Sequence, residues 1–365
     1  MYNHRMAKET DIGLFRLRAQ HIAHSNFKKP AEVVAALGAI QAQDYLGALW
    51  AVAARMNRAV TEQDIEEALA KRAIVRTWPM RGTLHFVAAE DAKWMLELMA
   101  PRVIAGMKAR IQNLKLNDEI FAKSRKIVAK ALKGGKQLSR PALYEALEAG
   151  GVAASNQRGL HILGRLAHEG LLCFGAREGK QQTFALFSEW LPGAKSMPRK
   201  DALAELTKRY FTGHGPATLQ DCMWWSGLPA KDIKEGLAMN TRSLAQTTIG
   251  GTTYWHAKNA TAAKESSPTA YLLPPFDEYL VGYRNRDAVL EEVHKQKVNP
   301  GSNGMFSPII VIDGQVRGTW RRKLGKKGVA LTYHSFAGKF SAKEMNALNT
   351  TAKRYAKFLG VPLVS

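Results

Sequence analysis

One arrangement of secondary structure occurs three times along the chain, and this repeat constrains the fold more than any other feature. Each copy has a capped helix, a second helix, and two short β segments joined by a turn. That order is typical of the winged helix, a helix-turn-helix variant. In the clearest copy, Ser139 can cap a helix that tolerates Pro141 in its first turn and stops at Gly150 and Gly151. The repeat predicts an α+β protein with three tandem winged-helix modules.

The second helix of this middle copy has the pattern of a DNA-recognition helix. We expect Ser155 to cap it, and Leu160, Leu163 and Leu166 to form its inner face. The polar positions left for a partner are then Arg158, His161, Arg165 and His168. Of these, Arg158, His161 and Arg165 are predicted to contact DNA.

A hairpin completes the middle copy, with strands predicted over 171–174 and 183–187. Its tip carries Arg177 and Lys180, on either side of Gly179. Basic side chains on a wing are suited to phosphate contacts, so we expect both to bind nucleic acid.

The other two copies carry matching signals. In the first copy Thr61 caps the second helix, and the hairpin turns over 79–82. That turn brings Arg81 to a predicted DNA-facing position, and His85 follows on the next strand. In the third copy, Thr218 opens a capping box. Between the first and second copies lies a strongly basic helical segment, for which phosphate contacts and a solvated helix face are both open interpretations.

The chain changes character from about residue 265. Short strands are predicted over 309–312, 315–320 and 329–333, followed by a helix from about Ala342 to Leu359. This pattern indicates a small β domain or barrel. A loop in it presents a basic cluster: Arg321, Arg322, Lys323, Lys326 and Lys327. The predicted domains are therefore 1–130, 131–198, 199–264 and 265–365.

The charge indicates a polyanionic partner. The 365 residues include Lys+Arg 53 against Asp+Glu 31, a net charge of +22, which favours binding to nucleic acid. No apolar stretch is long enough to cross a bilayer and no signal region begins the chain, so a cytoplasmic protein without a membrane partner is expected. Cys173 and Cys222 are isolated, which argues against a zinc site. We expect no metal and no cofactor, because phosphate-loop and dinucleotide motifs are also missing.

Two carboxamides, Gln41 and Gln43, interrupt an otherwise apolar stretch. Gly38 can stop one helix and Asp44 can cap the next, which leaves an extended connector between them. Alternate residues of an extended chain point the same way, so the two amides would converge and could hold a water molecule. The plainer alternative is that both amides satisfy backbone groups or meet solvent.

Three segments, in order, resemble the AlkZ-like winged-helix DNA glycosylases of bacteria. They are 41–44 (QAQD), 76–85 (RTWPMRGTLH) and 273–284 (LPPFDEYLVGYR), followed by Asp313-Gly314 and 318–322. The resemblance implies three tandem winged helices and a small β-barrel arranged as a C around duplex DNA. It also implies cleavage of the N-glycosidic bond of alkylated purines, including interstrand crosslinks. Gln41 and Gln43 match the catalytic pair of the two-glutamine group, whereas a related branch has Asp at the second position.

The chemistry of such a substrate suits a pair of amides. Alkylation at N7 leaves a positive charge on the purine, so the base already leaves readily and strong acid catalysis is unnecessary. A carboxamide oxygen can orient the attacking water, and its dipole favours developing positive charge. We therefore predict a monofunctional glycosylase in which water, not lysine, is the nucleophile.

Two classes of function stay open at this stage. The alternative to a glycosylase is a non-catalytic winged-helix regulator, although tandem modules reduce the need for a symmetric dimer and a monomer is expected. Asp277 and Glu278 are candidates for acid-base work, but ion pairing with Arg284 or Arg286 is the favoured interpretation.

Overall fold

A computed structural model describes residues 11–263 and 268–364 of the chain. Over these residues the fold is mixed α and β, with four separate sheets. None of the helices in the described ranges is long and apolar enough to cross a membrane.

The first part of the chain packs four helices around a three-stranded sheet of order β1-β3-β2. Its elements are α1 Asp11–Ala19, α2 Pro30–Leu37, β1 Ile40–Gln41, α3 Tyr45–Ala54, α4 Glu62–Ala70, β2 Ile74–Met80 and β3 Thr83–Ala88. Thr61 caps α4 as predicted, in a capping box with Asp64. The hairpin turn is tighter than expected, because β2 continues to Met80 and only Arg81 and Gly82 separate the strands.

Three helices then cover the basic segment, which is helical as predicted. They are α5 Ala92–Gly106, α6 Lys108–Asn113 and α7 Asp118–Leu132. The middle of α5 is apolar and buried, with Met95, Leu98 and Met99 in the core. This helix therefore packs between the first sheet and the elements that follow.

The next part has a three-stranded sheet of order β4-β6-β5. Its elements are β4 Leu138–Ser139, α8 Arg140–Ala149, α9 Arg158–His168, β5 Leu172–Phe174, β6 Thr183–Leu186 and α10 Phe187–Trp190. Ser139 caps α8 as predicted, accepting a hydrogen bond from the N–H of Ala142 at 3.3 Å. The prediction that Ser155 caps the second helix is wrong, because α9 begins three residues later, after Gln157.

Leu160 does not lie on the inner face of α9, which is a second correction. The buried positions of α9 include Ile162, Leu163 and Leu166, whereas Leu160 is 45% exposed. Successive residues of a helix are rotated by 100° about its axis. Ile162, Leu163 and Leu166 therefore define a buried face whose centre lies away from Leu160.

A two-stranded hairpin and three helices follow, the helices being α11 Arg199–Gly213, α12 Leu219–Ser226 and α13 Ala230–Met239. The strands are β7 Leu244–Ile249 and β8 Thr252–Ala257. The predicted capping box of Thr218 and Asp221 is present at the start of α12. Gly227 ends that helix in the left-handed conformation, with φ of 73°.

The last part is a five-stranded sheet of order β13-β12-β11-β10-β9. Its elements are β9 Ala270–Leu273, α14 Glu278–Val281, α15 Lys295–Val298, β10 Ile309–Ile312, β11 Gln315–Gly325, β12 Gly328–Ser335, α16 Ala342–Leu359 and β13 Leu363–Val364, with 3₁₀ turns at Glu292–His294 and Pro300–Ser302. The helix predicted from Ala342 to Leu359 is confirmed at those residues. The sheet is open, with β9 and β13 at its two edges. We call it the half-barrel.

The basic cluster of this sheet is not placed on a loop as predicted. Arg321, Arg322 and Lys323 belong to β11, and only Lys326 and Lys327 lie in the turn to β12. Neighbours in a strand point to opposite faces, so Arg321 and Arg322 diverge. Arg322 donates to the hydroxyl of Tyr355 on α16, while Arg321 is exposed.

Apolar packing joins the first and last parts of the chain. Trp50 of α3 contacts Tyr355 and Phe358 of α16, with ring centroids 4.9 and 5.2 Å apart. The indole N–H of Trp50 donates to the carbonyl of Leu272 at 2.7 Å. Both β9 and α16 are thereby held against α3.

Candidate active site

The connector that carries the two glutamines is extended, as predicted. Gly38 ends α2 with φ of 78°, a conformation that favours glycine. Gln41 then pairs with His85 of β3 in antiparallel register. The N–H of Ala42 also donates to the carbonyl of Leu84, at 2.7 Å. The connector is thus tied to the first sheet on both sides of Gln41.

Gln41 is held through its backbone and its side chain. Its backbone N–H donates to Oε1 of Glu278 at 2.8 Å, and its Oε1 accepts from Nη2 of Arg81 at 3.1 Å. The side chain is 8% exposed. Within residues 11–263 and 268–364, no protein group bonds its Nε2. This amide therefore has an N–H group available to a small ligand such as water.

Gln43 is exposed and lines a cavity of about 630 Å³. Its Oε1 accepts from the N–H of Leu84 at 3.3 Å, which leaves one lone pair of the oxygen free. Arg81 lines the same cavity and bonds Gln41. Arg81 therefore connects the buried amide of Gln41 to the cavity that Gln43 lines.

Arg81 occupies the hairpin turn in the left-handed region, with φ of 54°. Its guanidinium donates to the carbonyl of Trp225 at 2.8 Å and to the carbonyl of Trp224 at 3.4 Å. Burial lowers the pKa of Arg81, although a guanidinium stays charged at neutral pH. These bonds connect the first hairpin to the end of α12 and fix the guanidinium beside Gln41.

His85 does not face DNA, which corrects the predicted position. The side chain is fully buried, and Nδ1–H donates to the carbonyl of Thr83 at 3.0 Å. Nε2 then accepts from Arg81 at 3.4 Å. Burial and the charge of Arg81 lower the pKa of His85 to about 3, so the ring is neutral at pH 7. His85 supports Arg81 from inside the protein.

Glu278 is fully buried on the other side of Gln41. Its Oε2 accepts from Nε1–H of Trp225 at 3.0 Å and contacts Nε2 of His214 at 3.3 Å. Burial alone would raise the pKa of Glu278, but the hydrogen bond with His214 and the charge of Arg81 help to lower it. Glu278 is therefore a carboxylate at neutral pH, and every donor around it stabilises that form.

The predicted ion pairing of the two acidic neighbours with Arg284 or Arg286 is wrong. Asp277 pairs instead with Arg55, the residue that follows α3, through two contacts of 2.7 and 2.9 Å, and both side chains are buried. The reason is that the segment after β9 packs on α3. This packing brings Asp277 to Arg55, which is distant in sequence, and not to Arg284 or Arg286.

Asp44 precedes α3 at the predicted cap position, but its side chain makes no cap hydrogen bond. It lines a separate small cavity of about 80 Å³ with Trp320, Arg322 and Tyr355. Asp44 therefore lies away from the cavity of Gln43.

Four of the predicted DNA contacts lie at the cavity or on the exposed surface. Arg81 and His161 line the cavity of Gln43, and His161 accepts from Arg110 at 3.4 Å. Lys180 and Arg321 are exposed elsewhere on the surface.

The remaining cations of the prediction are engaged by protein groups. Arg158 donates to the backbone carbonyls of Leu114, Lys115 and Ala153. Arg165 pairs with Glu169 at 2.5 Å. Arg177 pairs with Glu66 at 2.5 Å, with side chains only 17% and 18% exposed, so it does not project from a wing tip as predicted.

Several cavity residues were missed by the sequence reasoning. Arg102 of α5 lines the cavity and donates to the carbonyl of Gly227 at 2.9 Å. Leu160 of α9 and Trp78 of β2 line it as well.

The role of Glu278 had a partial signal in the sequence, because an acidic residue within the apolar run 270–283 requires partners when it is buried. The sequence does not identify those partners.

Comparisons with known proteins indicate the family and the fold. A model of the family described as DNA glycosylase AlkZ-like matches residues 34–358. The interstrand DNA cross-link repair glycosylase of Streptomyces sahachiroi is 27% identical over 334 residues, which are 84% of this chain and 85% of that protein. Among solved structures, the Streptomyces sahachiroi DNA glycosylase AlkZ matches with a TM-score of 0.80 at 22% identity, over 99% of this chain and 100% of that chain. The structural match shows a shared α+β fold.

Proposed function

The chain belongs to the AlkZ-like DNA glycosylase family, and on this basis we propose that it is a monofunctional DNA glycosylase for N7-alkylated purines, including interstrand crosslinks. The observation that carries the proposal is that Gln43 lines a cavity together with Arg81, and that Arg81 and Glu278 fix Gln41 directly behind it. The crosslink-repair name of the Streptomyces sahachiroi relative supports the wider substrate range.

In the proposed reaction the two amides position one water molecule. The water oxygen accepts from Nε2–H of Gln41, and a water O–H donates to the free lone pair of Gln43 Oε1. The bond between C1′ and N9 breaks, and its electron pair neutralises the positive charge of the alkylated base. The water oxygen bonds to C1′ and releases its proton to solvent, which leaves an abasic site and the free base.

The protonation states near Gln41 favour a cationic substrate. His85, with its pKa of about 3, is neutral at pH 7 and therefore cannot serve as a general acid. The lowered pKa of Glu278 makes that residue a carboxylate. A neutral base needs a general acid for its departure, whereas an N7-alkylpurine does not.

We further propose that the chain binds double-stranded DNA as a monomer, without a cofactor, through three winged-helix modules and the half-barrel. The proposed modules correspond to domains 1–130, 131–198 and 199–264, with the half-barrel domain over 265–365. Exposed Lys180 and Arg321 would contact phosphates directly, while Arg81 and His161 would meet DNA at the cavity. The engaged cations would contribute mainly through long-range charge: Arg158, Arg165, Arg177 and Arg322.

A glycosylase assay with a matched pair of variants tests the proposal. A duplex with one N7-methylguanine is incubated with protein, and abasic sites are then cleaved by heat. Gln43→Ala should slow single-turnover excision about a hundredfold, the scale of losing one preorganised polar group, with little change in duplex affinity. Gln63→Ala, at an exposed glutamine of α4, is the control and should excise at the wild-type rate.

Two results would contradict the proposal. Wild-type excision by Gln43→Ala would remove that residue from the reaction. No excision by the wild type, together with tight binding to one undamaged operator sequence, would support a regulator instead.

A further inference from the structure

Leu160 is an exposed leucine in the proposed active site. It is 45% exposed, in the first turn of α9, and lines the cavity together with Gln43. A single exposed leucine needs no explanation, but one that belongs to a contiguous apolar surface in a cavity indicates binding.

Leu160 is part of such a surface, which we call the apolar shelf. It consists of the cavity residues Trp78, Val103, Met107 and Leu160. Trp78 is fixed by aromatic contacts, with its ring 5.0 Å from Phe174 and stacked on Phe184 at 6.4 Å. A rigid aromatic face loses little entropy when a ligand covers it.

Two glycines leave room above the shelf. Gly106 of α5 and Gly164 of α9 both line the cavity, and a Cβ atom added at either would meet nothing within 4 Å. Gly164 lies one helical turn after Leu160, on the same face of α9. The surface of Leu160 is therefore not covered by a neighbouring side chain on this helix.

The size and chemistry of the cavity exceed the needs of one flat base. Its volume of about 630 Å³ lies within the range of sites for drug-sized ligands. The polar groups of the lining, among them Gln43, Arg81, Arg102 and His161, contrast with the apolar shelf. A methylated purine would use the polar groups and leave the shelf in contact with water.

We propose that the apolar shelf binds a bulky apolar substituent on N7 of the damaged purine, and so makes such adducts better substrates than N7-methylguanine. This inference rests on the proposed glycosylase function. The substituent covers Leu160 and Trp78 while the glycosidic bond lies at the two glutamines. Removal of apolar surface from water supplies the preference.

The test compares two duplexes of one sequence, carrying either N7-benzylguanine or N7-methylguanine. The measured quantity is the ratio of kcat/KM for the benzyl adduct to that for the methyl adduct. Leu160→Ala should lower this ratio about tenfold, the scale of losing apolar contact in a binding pocket. Leu160→Met keeps volume and apolarity and should hold the ratio within about twofold. Leu363→Ala, at an exposed leucine on β13, is the matched control.

The other outcomes overturn the inference. If Leu160→Ala slows both substrates equally, Leu160 acts on the DNA itself, for example as a wedge between bases. If neither rate changes, the shelf contributes nothing to recognition. Thermal unfolding of each variant separates these results from loss of folding.

A binding measurement separates failure of this inference from failure of the proposed function. Fluorescence anisotropy compares the affinities of both duplexes for the Gln43→Ala protein, with and without Leu160→Ala. The shelf predicts several-fold tighter binding of the benzyl duplex that is lost with Leu160. Equal affinities would refute the shelf even if the wild type excised neither base.

Discussion

Glu278→Gln should slow catalysis through a residue that does not touch the reacting atoms. The carboxylate accepts from the Gln41 N–H at 2.8 Å and from the Trp225 indole at 3.0 Å, and meets His214 at 3.3 Å. A carboxamide has one oxygen, so its NH₂ group must face at least one of these donors. Either the backbone N–H of Gln41 loses its acceptor, or the buried donor of Trp225 or His214 is left without one.

The magnitude follows from these contacts. A hydrogen bond to a charged group contributes roughly 1.5–3 kcal/mol, and a buried unsatisfied donor costs roughly 1–3 kcal/mol. We expect the free energy of unfolding to fall by about 3 kcal/mol. A shift of Gln41 by a fraction of an ångström should lower kcat roughly ten- to a hundredfold, with KM for the duplex nearly unchanged, because Glu278 is buried away from DNA.

Asp91→Asn is the matched control for this experiment. Asp91 is also a buried carboxylate that accepts an indole N–H, from Trp94 at 2.9 Å, and it pairs with Arg209. It makes no contact with Gln41, so its loss should cost stability and leave kcat unchanged.

The assay is single- and multiple-turnover excision of N7-methylguanine well below the unfolding temperature, with urea denaturation of the same preparations. If Glu278→Gln loses stability as Asp91→Asn does but keeps the wild-type kcat, then anchoring of Gln41 is not needed for the reaction. That result would refute the positioning role of Glu278.

Three further predictions concern pH, salt and the nucleophile. The pKa of His85 is about 3 in the folded protein, against about 6.5 when unfolded, so the unfolded state binds more protons between these values. Stability should therefore fall as pH drops from about 6 to 4, by up to about 1.4 kcal/mol per pH unit from this residue; urea denaturation should find a shallower dependence for His85→Gln, and an unchanged slope would contradict the assignment. Duplex affinity should fall with salt, with a log-log slope of about −4 or steeper measured by anisotropy; a slope near zero would mean that phosphate contacts do not carry binding. Borohydride added during turnover should trap no protein-DNA adduct, since a water nucleophile forms no Schiff base; a shifted band on a denaturing gel, appearing at the rate of base release, would identify a lysine nucleophile instead.

The sequence by itself determined the features that depend on near neighbours. Thr61, Ser139 and Thr218 cap helices because each hydroxyl meets an N–H group three residues on. The extended connector also follows from local signals, since Gly38 ends α2 and the next helix begins after Asp44. The net charge and the ordered motifs were likewise sufficient to indicate the family.

Only the tertiary structure decided which groups meet at the site. Glu278 anchors Gln41 across 237 positions of sequence, and Asp277 binds Arg55 in place of its neighbouring arginines. His85 is buried, and Arg177 faces Glu66. Local spacing decides where a helix or strand begins and which residues share a face. The partner of a buried polar group is decided by how those elements pack, because burial without a hydrogen bond is costly and any nearby donor or acceptor, however distant in sequence, can supply it.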